Sequence, residues 1–153
     1  MRDNMTSYRD LLSTSTSVLL VDWPGRDVPD TLARHGFSVI SHDGPGATEY
    51  NAYRVIEGDV QVRPTDGPPD RVDIVYSHRP IDELAVIVDR ALSLNARAIW
   101  VQSGVAQNGV KDPRGCWRPP DESARARQMV ENAELLYVES PYIADAVREV
   151  VEL

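Results

Sequence analysis

The sequence predicts an α/β domain built on an open, Rossmann-like parallel sheet of five or six strands with helices on both faces. Three observations predict it. Short apolar, β-rich runs recur along the chain, segments with a helical apolar period separate them, and several of those segments carry readable helix ends. Runs that are apolar throughout, rather than alternating, are expected of strands covered on both faces. Strands alternating with helices form βαβ units, and these bring parallel order and right-handed crossovers.

Taken in order, a helical pattern over Thr6–Leu12 precedes the first strand. Residues 1–16 are therefore expected as an N-terminal extension and residues 17–153 as the α/β domain. The candidate strands are Val18–Val21, Phe37–Ile40, Val72–Tyr76, Ala98–Gln102 and Leu135–Val138. A short helix over Pro29–His35 should end at Gly36, which suits the left-handed position after a helix. Between Val55-Ile56 and Val60–Val62, Gly58-Asp59 makes either a hairpin or the approach to one more short strand, and Thr65–Asp70 is turn-rich. Ile81, Leu84, Ala85, Val88, Ala91 and Leu92 form one apolar helix face, with Pro80 at the first helical position and Asp82 and Glu83 in the first turn. Asp121 or Ser123 is the expected cap of a helix carrying Ala126, Met129, Val130 and Ala133. In the last helix Ser140 is the expected N-cap and Pro141 the first residue, with Ile143, Val147, Val150 and Val151 on one side.

Composition narrows the function classes. A chain of 153 residues has room for one domain, and no stretch approaches the roughly 20 apolar residues of a membrane span. The start of the chain lacks a signal-peptide pattern, and the single cysteine, Cys116, fits a reducing compartment, so a cytoplasmic protein is expected. A net charge of −8 argues against a nucleic-acid footprint, which needs a basic face. It leaves room for a small phosphorylated ligand held by a few arginines, and of the 16 basic residues only Lys111 is a lysine. A planar guanidinium suits bidentate phosphate binding.

In an open parallel sheet, ligands bind beyond the carboxyl ends of the strands, where helix N-termini present free N–H groups. The first such segment, Asp22-Trp23-Pro24-Gly25-Arg26-Asp27, lacks the G-x-G-x-x-G fingerprint; only Gly25 lets the backbone approach a phosphate closely. The second, Ser41-His42-Asp43-Gly44-Pro45-Gly46, is either a wrap for an adenine or ribose edge or a plain surface loop. The third, Ser77-His78-Arg79-Pro80, puts an arginine where a helix cap belongs, although arginine offers the free N–H groups no acceptor. An anion there satisfies both. The fourth, Gln102-Ser103-Gly104-Val105, opens a long irregular stretch to Pro120 that holds Lys111, Arg114, Cys116, Trp117 and Arg118. Such a segment clamps a ligand, forms a dimer contact or stays disordered. No catalytic set emerges: Cys116 has no partner residue nearby in sequence, His35, His42 and His78 show no metal spacing, and Asp22 and Asp43, which both end strands, form either a carboxylate pair or ordinary turn caps.

These segments resemble the small, single-domain CoA-binding proteins, whose fold is similar to the CoA-binding domain of the succinyl-CoA synthetase α subunit. The resemblance runs from about Val18 to Val150. Its most specific part is Val72-Asp73-Ile74-Val75-Tyr76-Ser77-His78-Arg79-Pro80, then a helix to Leu94, then the W-x-Q-x-G-V strand end over Trp100–Val105. Arg79, Gln102, Gly104 and Val105 match that pattern, and His35-Gly36-Phe37 is similar to the family's H-G-[YF] junction. The chain departs from the family at Asp22, where a glycine opens a longer small-residue loop, and at His42-Asp43-Gly44-Pro45, where Asn-Pro is usual. It departs again in a longer segment over 106–120 and in Glu139-Ser140-Pro141, where many members carry Asp-Arg-Cys.

The resemblance implies coenzyme A or an acyl-CoA as cofactor, bound without catalysis near Trp23, Gly25, Arg26, His42, Gly44, His78, Arg79, Gln102 and Gly104. Two other readings stand beside it. Asp22 repels phosphate, which fits a regulatory or protein-interaction domain that has lost its nucleotide and forms a homodimer through the Trp117 loop. A small enzyme using a nucleotide cofactor would draw on Asp22, Asp43 or Cys116. The expected partner is a small nucleotide ligand, with no nucleic acid and no membrane.

Overall fold

The computed structural model describes residues 8–21, 26–42, 49–77, 81–102, 120–139 and 142–151. Thirteen elements follow one another: α1 Tyr8–Ser13, β1 Ser17–Val21, α2 Asp27–Arg34, β2 Ser38–His42, β3 Tyr50–Ile56, β4 Asp59–Thr65, β5 Ile74–Ser77, a 3-10 turn at Ile81–Glu83, α3 Leu84–Ser93, β6 Ala98–Val101, α4 Pro120–Asn132, β7 Leu136–Glu139 and α5 Ile143–Val150. The strands form a seven-stranded sheet in the order β4-β3-β2-β1-β5-β6-β7.

All five strands expected from the apolar runs are present, and they are mutually parallel. β1, β5 and β6 are buried along almost their whole length, which is why they read as unbroken apolar runs. Of the two alternatives for the segment after Tyr53, the hairpin is the one that forms; it runs antiparallel to β2 and takes the sheet past the expected five or six strands. Its two-residue turn has positive φ at both centres, 52° at Glu57 and 87° at Gly58, the geometry of a type I′ turn. Glutamate fits that first position poorly and asparagine fits it well. Glu57→Asn should therefore stabilise the domain by about 0.5–1 kcal/mol and raise Tm by roughly 1–4 °C. A lower melting temperature would contradict this reading of the turn.

The helices cover both faces. Leu20, Tyr76 and Trp100 point toward α1, α2 and α5, whose Leu11, Leu12, Val28, Leu32, Ile143 and Val147 close one core. On the other face Leu19, Val75, Ile99 and Val101 meet Leu84, Ile87, Val88 and Ala91 of α3 and Ala126 and Val130 of α4. α1 thus contributes Leu11 and Leu12 to the same core as the strands. No helix among the described residues is long and apolar enough to cross a membrane.

Several expected helix details differ. α2 begins at Asp27, placing Pro29 inside its first turn, where a missing N–H costs nothing. It ends as expected: Gly36 has φ 94°, and the Phe37 N–H donates to Leu32 O at 3.0 Å, closing a Schellman motif. In α3 the buried stripe is Leu84, Ile87, Val88 and Ala91, while Ala85 and Leu92 face solvent. Asp82 and Glu83 lie in the preceding 3-10 turn. The change from 3-10 to α winding rotates the stripe away from the face extrapolated from Ile81. α4 starts at Pro120, so Asp121 and Ser123 are first-turn residues and not caps; the Ser123 hydroxyl donates to Glu139 at 3.0 Å. α5 starts at Ile143 with Tyr142 at the cap position, and Ser140 and Pro141 lie outside the described residues.

At the amino edge of the sheet, Asp73 ties β1 to β5. Its carboxylate accepts from the Thr16 N–H at 2.8 Å and the Thr16 hydroxyl at 3.2 Å. Burial pushes this carboxyl up, but the Thr16 bonds, the Arg71 guanidinium and the Ser17 N–H outweigh it and hold the group below its ordinary value of 3.8. A carboxyl lowered in the folded state adds stability that is complete above its unfolded pKa and is lost as pH falls through the folded one. In urea titrations, the stability gap between the wild type and Asp73→Asn should be constant near neutrality and shrink below about pH 4. A gap independent of pH would show that Asp73 is not held as the carboxylate.

Candidate functional site

The chain passes from β1 to β2 on one side of β1 and returns to β5 on the other, so strand order reverses between β1 and β5. At such a point the connections leave the sheet in opposite directions and open a crevice beyond the carboxyl ends. The register sets Val21, His42, Ser77, Val101 and Glu139 in one row along that edge.

Three expected site residues fall on described parts of this edge. Gln102 is 1% exposed; its N–H donates to Ser77 O at 2.8 Å and its Oε1 accepts from the Tyr76 hydroxyl at 3.0 Å. That pair of bonds fixes the first residue beyond β6 at the floor of the crevice, beside buried Ser77. His42 ends β2, also buried, with its ring 5.0 Å from that of Tyr50. Arg26 precedes α2. Its Nε donates to Asp30 at 2.9 Å, a terminal nitrogen donates to Val60 O at 3.3 Å, and the guanidinium lies 5.5 Å over the Tyr53 ring. Arg26 is therefore turned toward the hairpin. Trp23, Gly25, Gly44, His78, Arg79 and Gly104 lie outside the described residues, as do Asp22, Asp43, Val105, Lys111, Arg114, Cys116, Trp117 and Arg118.

The structure adds two residues that sequence reasoning missed. Tyr50 begins β3 opposite His42, and Arg90 of α3 donates to its hydroxyl while lying 6.0 Å over its ring. A small hollow lined by Val21, His42, Val86, Ile87 and Arg90 sits at this corner of the crevice. Neither residue had a local signal: Arg90 lies off the buried stripe of α3, and Tyr50 reaches the site only because the hairpin pairs it with β2. A roomier hollow of about 700 Å³ lies against β2 and the hairpin, lined by Phe37, Tyr53 and Pro68 among others. It misses the strand ends, and size alone does not supply the N–H groups that an anionic ligand needs.

Fold and edge together define a Rossmann-like domain of the kind that takes a ligand across the ends of its parallel strands. The chain belongs to the CoA binding domain family, whose pattern matches residues 20–145. The family supports a CoA-binding role in general terms. Among solved structures, the chain is similar to cell-free ID.343 from Thermus thermophilus, with a TM-score of 0.59 and 18% identity over 98% of this chain and 99% of that one. It is also similar to Prb, a protein redesigned for binding, with a TM-score of 0.57 and 18% identity over 93% of this chain and 88% of that one. At such identities the likeness is one of fold. No curated protein matches.

Proposed function

We propose that this protein binds coenzyme A or an acyl-CoA, without catalysing a reaction on it, across the carboxyl ends of β1, β2, β5 and β6. The observation that carries this reading is the reversal of strand order between β1 and β5, with Ser77 and Gln102 buried at that edge, in a chain of the CoA binding domain family. In this reading Gly25 admits the backbone to the pyrophosphate, Arg79 supplies its counter-charge and the segments at His42-Gly44 and Gln102-Gly104 flank the nucleotide. Arg90 and Tyr50 wall the crevice on the β2 side. A lone cysteine forms no internal disulfide, which supports a reducing compartment such as the cytoplasm. Asp22 favours a second reading, a regulatory domain without nucleotide, because a carboxylate beside the first loop opposes a phosphate.

Thermal melts with CoA, acetyl-CoA, ADP, ATP, NAD and NADP separate the two. Ligand at about 100 times its Kd adds roughly 2.7 kcal/mol, or about 5–10 °C for a domain of this size. CoA and its ester should raise Tm more than ADP or NAD. A melt unmoved by every nucleotide would overturn the proposal in favour of the regulatory reading.

A further inference from the structure

The edge strand β4 carries a pattern that the nucleotide site does not explain. It pairs with β3 alone among the described strands, so that no described strand lies along its other side. Ile56 and Asp59 close the two-residue turn, so antiparallel alternation turns the N–H and C=O groups of Val60 and Val62 away from β3. The bond from Arg26 to Val60 O agrees with that orientation. Exposed edges are ordinarily blunted by short length, charge or bulges. β4 is seven residues long; its charges, Asp59 and Arg63, are of opposite sign on one face, while on the other Val62, and Val55 beside it, are 38% and 45% exposed. The cross-strand pairs Tyr53–Val62 and Val55–Val60 put these apolar residues on one face of the hairpin.

We infer that β4 is a homodimer interface, pairing antiparallel with β4 of a second copy about a two-fold axis through Gln61. The sequence of the strand is self-complementary in this register: Asp59 faces Arg63 of the partner subunit, Val60 faces the partner's Val62, and each contact occurs twice. Both acid–base pairs fall at non-hydrogen-bonded positions, where opposed side chains approach most closely. The outward groups of Val60 and Val62 supply the ladder. Arg26 occupies one lone pair of Val60 O and leaves the second for the partner. Pro64, which has no N–H, falls beyond the paired valines, whereas an axis through Val62 would set it opposite Val60 and cost a bond. Two sheets joined this way bury the exposed valines and leave the β1/β5 crevice open, since β4 is four strands from β5 in the sheet order.

Sedimentation of the full chain over a wide concentration range tests this through a charge swap. The wild type should be a dimer. Asp59→Arg places like charges opposite each other twice and should raise the dimer Kd about tenfold, and Arg63→Asp should do the same. The double variant Asp59→Arg with Arg63→Asp restores opposite charges and should recover wild-type affinity, which no loss of folding could mimic. Val62→Pro removes an outward N–H and no bond to β3, and should give a folded monomer by circular dichroism. A wild type that stays monomeric overturns the proposal, and so does a dimer indifferent to these substitutions or single-variant losses that the double variant does not restore.

Discussion

Replacing Trp100 by alanine is expected to cost about 3–5 kcal/mol of stability. The indole is fully buried at the centre of β6, between Tyr76 on β5 and Val138 on β7 in the sheet register. Tyr8 of α1 meets it edge-on at 6.0 Å, so the side chain joins three strands to the first helix. Removing it strips apolar area from burial and leaves a hollow that rigid strands on both sides cannot fill. For a chain of this size the loss should lower Tm by roughly 6–20 °C, and urea titration gives the free energy directly. Trp100→Phe keeps most of the volume and should lose much less. A cost below about 1 kcal/mol for alanine would mean that β6 does not lie between β5 and β7 with this face inward.

How far the fold could be read from sequence depended on burial. β1, β5 and β6 announce themselves because both faces are covered, so selection for apolar residues acts at every position. β4 gives no such signal. Its residues Asp59-Val60-Gln61-Val62-Arg63 alternate strictly, but over only five positions at a half-exposed edge, which leaves a hairpin and a lone strand equally readable. The helix ends show the same division. Gly36 marks the end of α2 because a positive φ there demands glycine, whereas at the starts of α4 and α5 sequence offers serines and aspartates near the boundary with nothing to rank them. Leu92 illustrates a different failure: it fits a helical period counted from Ile81, yet the first turn is wound as a 3-10 helix and the period restarts at Leu84.

The candidate site follows the same logic. Gln102 was legible because the residue just past a buried strand in a parallel sheet sits at the crevice by topology alone. Tyr50 and Arg90 were not, because their meeting depends on a hairpin folding back antiparallel to β2 and on a side chain from the later half of α3 reaching across to it. Long-range juxtapositions of that kind leave no trace in local spacing.

The second large effect is expected on binding. Arg79→Ala should weaken the affinity for CoA by at least tenfold. Arg79 follows Ser77, which the register places between Val21 and Val101 at the point where strand order reverses. In the proposed site, a guanidinium two residues ahead of the turn at Ile81–Glu83 would supply the phosphate with a bidentate cation. A charge-assisted contact with a phosphate contributes about 1.5–3 kcal/mol, which is roughly a tenfold to hundredfold change in Kd. Arg79→Lys should recover only part of it, because an ammonium keeps the charge but loses the planar fork. Calorimetric titration with CoA gives the change, and a melt of the unliganded variant separates lost binding from lost folding. Salt supplies the mechanism's signature: raising ionic strength should weaken the wild type more than the alanine variant, since only the wild type holds that charge pair. Equal salt dependence together with unchanged affinity would remove Arg79 from the site and leave the phosphate to be neutralised from the β2 side, where Arg90 stands beside Tyr50.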